Sequence, residues 1–145
     1  MKLLVLPGDG IGPEITEATL AVLEAADRRY KLNLSFEKRE IGLVALKKHG
    51  TTLPKGILER AREVDAVILG PISHLDYPPR EQGGVNVSAA FRVKLDLYAN
   101  VRPVRTIAGV PSHFATSSSI VSGTPASRAI ASRCRTALVD PAVAI

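Results

Sequence analysis

The stretch MKLLVLPGDGIGPE, residues 1–14, decides the fold of this 145-residue chain. Lys2–Leu6 is almost continuous leucine and valine, which predicts a strand buried on both faces of a parallel sheet. A glycine-rich turn, Gly8–Gly12, follows at once, and Pro13 and Glu14 then supply first-turn residues typical of a helix. The stretch therefore predicts the strand, turn and helix unit of an α/β protein.

Further elements alternate along the chain. We predict helices over 13–30, 43–49, 54–63 and 88–97, strands over 33–41 and 66–69, and an extended segment over 99–104. This alternation is typical of an α/β sheet with parallel strands. In the first helix, Ile15, Ala18, Val22 and Ala26 recur at helical spacing and are expected to form its apolar face.

Composition places the chain among ordinary globular proteins, with 46% hydrophobic and 23% charged residues. No apolar run approaches the roughly 20 residues that a membrane span needs. The first apolar run breaks at Pro7 and Gly8 without a cleavage site behind it, so no signal peptide is expected. A single cysteine, Cys134, excludes an intrachain disulfide. The cytoplasm is therefore the expected location, with no membrane partner.

The net charge of +5 suggests an anionic partner. The basic residues are scattered among acids, without an aromatic RNA-binding motif or a recognisable DNA-binding helix pair, so no nucleic-acid partner is expected. Attraction to small anions is the simpler interpretation. His49, His74 and His113 lie far apart and show no zinc-ligand spacing.

Two arginines, Arg92 and Arg102, lie ten residues apart across a predicted junction between helix and strand. A guanidinium binds a carboxylate through two parallel hydrogen bonds, so two of them converging from different elements would suit a small acid with several carboxylates. Arginines at this spacing are also common as solvated surface charges. Both interpretations stay open on spacing alone.

Two glycine-rich segments are candidates for a ligand site. Gly8–Gly12 lacks the third glycine of the dinucleotide fingerprint, because Pro13 stands there, and no Lys-Ser/Thr pair makes it a P-loop. It can equally be a tight turn. The loop 70–84 follows a predicted strand at its carboxyl end, where ligands bind in open α/β sheets, although an ordinary surface connection has the same composition.

Three motifs together carry a family resemblance. They are LPGDGIGPE at residues 6–14, ILGPISH at 68–74 and RVKLDLYANVRP at 92–103. In this order and spacing, the chain resembles the β-decarboxylating dehydrogenases, which include isopropylmalate, isocitrate and tartrate dehydrogenases. The resemblance covers about residues 1–113. It implies the N-terminal part of an isopropylmalate-dehydrogenase-like α/β/α fold.

The resemblance also implies a reaction and its cofactors. Hydride would pass from a malate-type 2-hydroxy acid to NAD or NADP, and the β-keto acid would then lose carbon dioxide with the help of Mg²⁺ or Mn²⁺. Arg92 and Arg102 would hold substrate carboxylates. The residues implied beside the cofactor are Ile11, Gly70, Pro71 and Ile72. The complete family member would be a homodimer.

Substrate preference is implied to depend on Ser88 and Asn86, four and six residues before Arg92. Both are polar, whereas leucine-like residues would suit an isopropyl group. We therefore expect a tartrate-like, malate-like or isocitrate-like acid rather than isopropylmalate. Ser88 could also cap a helix that begins there, and the two roles are compatible.

Composition changes after His113. Residues 114–145 contain no lysine and a single acid, Asp140, and no clear strand or helix period is seen over 117–122. We interpret 114–145 as a tail without family correspondence that is poorly ordered; a frameshift is favoured over a divergent linker. The family's catalytic lysine and tyrosine and its metal-binding aspartates are not found. The expected protein is thus a truncated, inactive dehydrogenase, and the alternative is a non-catalytic binding module.

Overall fold

A computed structural model describes residues 1–97 with their side chains and the backbone of residues 99–104 and 118–123. The strands are β1 (Lys2–Leu6), β2 (Ser35–Lys38), β3 (Ala66–Leu69), β4 (Ala99–Val104) and β5 (Ser118–Gly123). The helices are α1 (Gly12–Tyr30), α2 (Gly42–His49), α3 (Ile57–Glu63) and α4 (Val87–Lys94). Two short 3₁₀ turns, His74–Asp76 and Arg80–Gln82, lie in the loop between β3 and α4.

The first three strands form a parallel sheet in the order β2-β1-β3. In its register Leu4 lies between Glu37 and Val67. The central strand is buried from Leu3 to Leu6, as the continuous apolar run predicts. The α/β class and its parallel strands are therefore confirmed.

The main core lies between β1, β3 and the helices α3 and α4. From α4, Val87 and Phe91 are both fully buried at a spacing of four residues, so one face of the helix packs into the core. Their neighbours include Leu4, Leu6 and Ala61. This docking fixes the direction in which the other faces of α4 point.

The apolar face predicted for α1 is wrong. The buried residues are Gly12, Thr16 and Leu20, which recur every four residues, whereas Val22 is 70% exposed. A glycine and a threonine are buried at the start of the helix because the turn before it packs closely there: a Cβ atom at Gly12 would lie 2.1 Å from the carbonyl oxygen of Pro7. A hydropathy pattern does not detect such an interface.

Several predicted boundaries move for local reasons. β2 begins only at Ser35 because Asn33 is left-handed, with φ of 55°. α3 begins at Ile57 rather than at Pro54, since Gly56 precedes it with φ of 88°. α4 ends at Lys94 rather than at Leu97, and Asp96 follows with φ of 50°.

The interval 117–122, in which the sequence shows no clear strand or helix period, contains most of β5. β5 pairs antiparallel with β4, and Arg102 lies opposite Ile120 in that register. Alternation is not needed for this pairing, because backbone hydrogen bonds alone define the ladder. The other predictions for the tail fall on residues 105–117 and 124–145, which lie outside the described residues.

Candidate functional site

The turn Gly8–Gly12 and the start of the 70–84 loop meet at the carboxyl edge of the parallel sheet. A Cβ atom at Gly8 would lie 2.1 Å from the carbonyl oxygen of Pro71, and one at Gly70 would lie 2.0 Å from that of Pro7. The amide of Asp9 donates to the same Pro71 oxygen at 2.8 Å. Only glycine allows this approach of two backbones, so the turn and the loop form one surface.

Asp9 is the polar centre of this edge. Asp9 is only 5% exposed, and its two carboxylate oxygens accept hydrogen bonds from different donors. Oδ1 accepts from the amide of Leu43 at 2.6 Å, whereas Oδ2 accepts from the amide of Ser73 at 3.1 Å and from the hydroxyl of Tyr77. One carboxylate therefore joins the loops that follow all three parallel strands.

Asp9 also supplies the missing cap of α2. The residue at the N-cap position is Ile41, which has no side-chain acceptor for the free amides of the first turn. The carboxylate of Asp9 accepts from Leu43 instead, at the positive end of the helix. A Cβ atom at Gly42, where φ is 72°, would lie 2.3 Å from Oδ1 of Asp9, so this contact also requires glycine.

Neither Asp9 nor Tyr77 was predicted from the sequence to belong to the site. The available signal was indirect: Ile41 and Gly42 start a helix without a capping side chain, which implies an acceptor from another segment. The sequence does not say which segment supplies it. The partner is 34 residues away along the chain.

The residues predicted beside the cofactor are brought together in part. Gly70 and Pro71 contact the turn directly, and Ile72 continues the same loop at partial exposure. Ile11 is 59% exposed at the start of α1. Ile11 therefore presents an apolar side chain to solvent beside the closely packed glycine turn.

Three of the four residues predicted to contact substrate belong to α4 or to its N-cap, and they lie on two faces of the helix. Ser88 and Arg92, four residues apart, share one partly exposed face. Asn86 is the N-cap, and its Oδ1 accepts from the amide of Ala89 at 3.0 Å. Asn86, rather than Ser88, therefore caps the helix. It lines a groove of about 610 Å³ with Ala89 and Val93, on a different face from Arg92.

Thr52 holds the segment that leads into α4. It is fully buried, and its hydroxyl both donates to the carbonyl of Val85 and accepts from the Val85 amide, each at 2.8 Å. The Thr52 amide donates to the carbonyl of Gly83 at 3.0 Å. The start of α4, and with it the direction of Ser88 and Arg92, is thus fixed by hydrogen bonds as well as by the core.

Arg102 lies on β4, the strand after α4. The two arginines therefore occupy consecutive elements, as the sequence indicated, and their convergence on one ligand stays a prediction. Among residues 1–97 no group of three His, Cys, Asp or Glu side chains is placed to hold a metal ion. In the same part of the chain, no helix combines the length and hydropathy that crossing a bilayer requires.

Ionisation of Tyr77 is predicted to make the free energy of unfolding depend on pH in the alkaline range. Burial, together with the hydrogen bond to Asp9, raises the pKa of Tyr77 above its ordinary value near 10. A group whose pKa is raised on folding stabilises the fold below its unfolded pKa and loses that contribution as the pH rises. We expect the free energy of unfolding to fall above about pH 10, and to fall less in Tyr77→Phe.

The measurement is urea unfolding at several pH values between neutral and strongly alkaline. Tyr30→Phe is the matched control, because Tyr30 is 66% exposed. Its alkaline loss of stability should equal that of the unaltered chain. Equal pH dependence in Tyr77→Phe and the unaltered chain would show that the Tyr77 hydroxyl contributes nothing.

The parallel sheet carries a glycine turn and a glycine-proline loop together at its carboxyl edge. In open α/β proteins, ligands bind at that edge. The fold therefore places the chain in this class of α/β proteins. The family model described as isocitrate/isopropylmalate dehydrogenase matches residues 2–124. The chain belongs to this family. The match continues beyond residue 113 and includes β5, so the family correspondence extends past the limit drawn from the motifs.

Individual relatives agree with this assignment. The chain is 38% identical over 104 residues to the 3-isopropylmalate dehydrogenase of Lactococcus lactis, covering 72% of this chain and 30% of that protein. It is 41% identical over 107 residues to that of Saccharophagus degradans. A solved isocitrate dehydrogenase from Methylococcus capsulatus superposes with a TM-score of 0.63 at 32% identity, over 83% of this chain and 33% of that one. The chain thus spans about a third of the length of these proteins.

Proposed function

We propose that this chain forms the N-terminal part of an NAD(P)-dependent oxidative decarboxylase of malate-type 2-hydroxy acids. The observation that carries the proposal is the joining of Gly8–Gly12 to Gly70 and Pro71 at the carboxyl edge, with the apolar Ile11 exposed beside them. Such a surface suits the nicotinamide ring. When bound, the ring would accept the hydride that leaves the carbinol carbon of the acid.

Arg92 and Arg102 are proposed to hold the carboxylates of the acid. A guanidinium fixes both the charge and the plane of a carboxylate, so two of them orient the carbinol carbon as well as bind it. Arg92 is supported by its partly exposed place on a helix that the core and Thr52 hold rigidly. No metal-dependent step is assigned to residues 1–97, since they contain no suitable ligand group.

Ser88 is proposed to face the variable group of the substrate, because it lies one helical turn before Arg92 on the same face. A hydroxyl there favours a hydroxyl or carboxylate over an isopropyl group. The proposed substrate is therefore tartrate-like, malate-like or isocitrate-like. This differs from the substrate in the names of the relatives, which are 3-isopropylmalate dehydrogenases.

Ser88→Leu tests the substrate preference. It is best measured in a chimera in which residues 1–104 of this chain are joined to the remaining part of the Lactococcus lactis relative. We expect kcat/KM for isopropylmalate relative to malate to rise by about tenfold, because burial of a leucine side chain against an apolar group contributes about 1–3 kcal/mol. The matched control is Ser35→Leu, on the first residue of β2. An unchanged ranking of substrates would contradict the role of Ser88.

The 145-residue chain by itself is proposed to bind weakly and to lack turnover, since residues 1–97 include no group of three His, Cys, Asp or Glu side chains placed to hold the metal ion of this reaction. The experiment is to incubate the purified chain with malate, tartrate, isocitrate or isopropylmalate and either NAD or NADP. We expect no formation of reduced cofactor above background. Turnover that follows the chain through purification and is lost in Arg92→Lys would overturn this part of the proposal.

A further inference from the structure

The two carboxylate oxygens of Asp9 hold two different segments of the chain, and one of these segments belongs to the loop proposed to bind the cofactor. Oδ1 holds α2 through Leu43, whereas Oδ2 holds the loop after β3 through Ser73 and Tyr77. Pro71 and Ile72 lie immediately before Ser73. Pro71 is held by the amide of Asp9, and Ile72 packs against the core. The Oδ2 contacts hold the part of the loop that follows, from Ser73 to Tyr77.

Tyr77 is the side-chain partner in this arrangement. The loop carries glycine and proline at 70 and 71 and prolines at 78 and 79, and its stretch between Ser73 and Tyr77 contains only one short 3₁₀ turn. Apart from the Pro71 contact with Asp9, its described hydrogen bonds to the glycine turn run through Oδ2. Leu75, at 88% exposure, shows that the apolar side chain in this stretch does not anchor it in the core.

We propose that Asp9 is a positioning residue for cofactor binding, and that Tyr77 closes the 70–77 loop onto the glycine turn by donating to Oδ2. The inference rests on the proposed function, which assigns this loop to the cofactor. With the hydroxyl of Tyr77 in place, the segment from Ser73 to Tyr77 stays closed on the glycine turn, and the proposed nicotinamide surface is preformed. Without it, the loop departs from the turn more often, and cofactor binding must first restore the surface.

The experiment compares Tyr77→Phe and Asp9→Asn with the unaltered 145-residue chain. Asp76→Asn is the matched control for Asp9→Asn, because Asp76 is an exposed acid of the same loop, and Tyr30→Phe is the control for the phenol. Binding of NADH and of NADPH is followed by the fluorescence of the reduced nicotinamide, which no tryptophan obscures in this chain. Amide hydrogen exchange at Ser73 and Leu43 is measured on the same samples.

We expect Tyr77→Phe to raise the dissociation constant by about five- to twentyfold and to speed exchange at Ser73, while exchange at Leu43 keeps its rate. This contrast separates positioning from general destabilisation, because Leu43 is held by the other oxygen. Asp9→Asn should speed exchange at both amides and weaken binding at least as much. Both control variants should match the unaltered chain.

Two results would overturn the inference alone: binding that neither Tyr77→Phe nor Asp9→Asn weakens, or exchange at Ser73 and Leu43 that rises equally in Tyr77→Phe. Failure of the unaltered chain to bind either NADH or NADPH is a different result. It would count against the proposed function itself, and with it against the cofactor role of Asp9.

Discussion

Replacing Asp9 with alanine is expected to lower the free energy of unfolding by about 3–5 kcal/mol, since it leaves three donors unpaired at a buried site. The amides of Leu43 and Ser73 and the hydroxyl of Tyr77 all donate to this carboxylate. A charged acceptor makes stronger hydrogen bonds than a neutral one. Urea unfolding of the purified variant and of the unaltered chain gives the difference directly.

Asp76→Ala is the matched control for this prediction, because Asp76 is exposed in the loop that Asp9 holds. We expect its free energy of unfolding to stay within about 0.5 kcal/mol of the unaltered value. Asp9→Asn should lie between the two, since its amide keeps one acceptor oxygen. A loss below about 1 kcal/mol in Asp9→Ala would show that the three loops are held by other contacts.

Arg92→Lys and Arg102→Lys are each expected to lower kcat/KM by about ten- to a hundredfold, or roughly 1.5–3 kcal/mol, in the chimera with the Lactococcus lactis relative. Lysine keeps the positive charge but loses the planar pair of donors. A site that needs charge alone would tolerate the change. The loss therefore reports the geometry of the carboxylate contact, which is measured with a malate-type acid under initial-rate conditions.

Arg28→Lys is the control for the two arginine variants, because Arg28 is an exposed residue in the last turn of α1. It should leave kcat/KM unchanged. Retention of the unaltered kcat/KM in Arg92→Lys would remove Arg92 from the proposed site, and the same result in Arg102→Lys would remove Arg102. The two outcomes are independent, so each arginine is tested separately.

Much of the sheet could be predicted from local sequence. The run Lys2–Leu6 and the run Ala66–Leu69 are strands with the predicted bounds, because continuous apolar residues in short segments need burial on both faces. The boundaries of β2, α3 and α4 were predicted less accurately. They depend on backbone conformation at Asn33, Gly56 and Asp96, each with a positive φ that composition signals only weakly.

Residues of the candidate site could be predicted only where the chemistry of a single side chain suggests a ligand. Arg92 could be proposed from the sequence because guanidinium chemistry is evident from the residue type. Asp9, Thr52 and Tyr77 were missed because their roles come from partners more than thirty residues away. The face of α1 was misassigned for a related reason: Gly12 and Thr16 are buried by backbone packing, to which hydropathy is insensitive.

Titration of the isotope-labelled 145-residue chain with malate, followed by NMR of the arginine side chains, tests the central claim that this segment holds the carboxylate-binding half of the site. Weak, saturable binding in the millimolar range is predicted, with shifts at Nε of Arg92 and Arg102 that acetate at equal ionic strength does not reproduce. The double variant Arg92→Lys, Arg102→Lys should abolish saturation. If malate and acetate instead gave the same small, unsaturable shifts across all arginines, the chain would attract anions only through its net positive charge, and the claim would be contradicted.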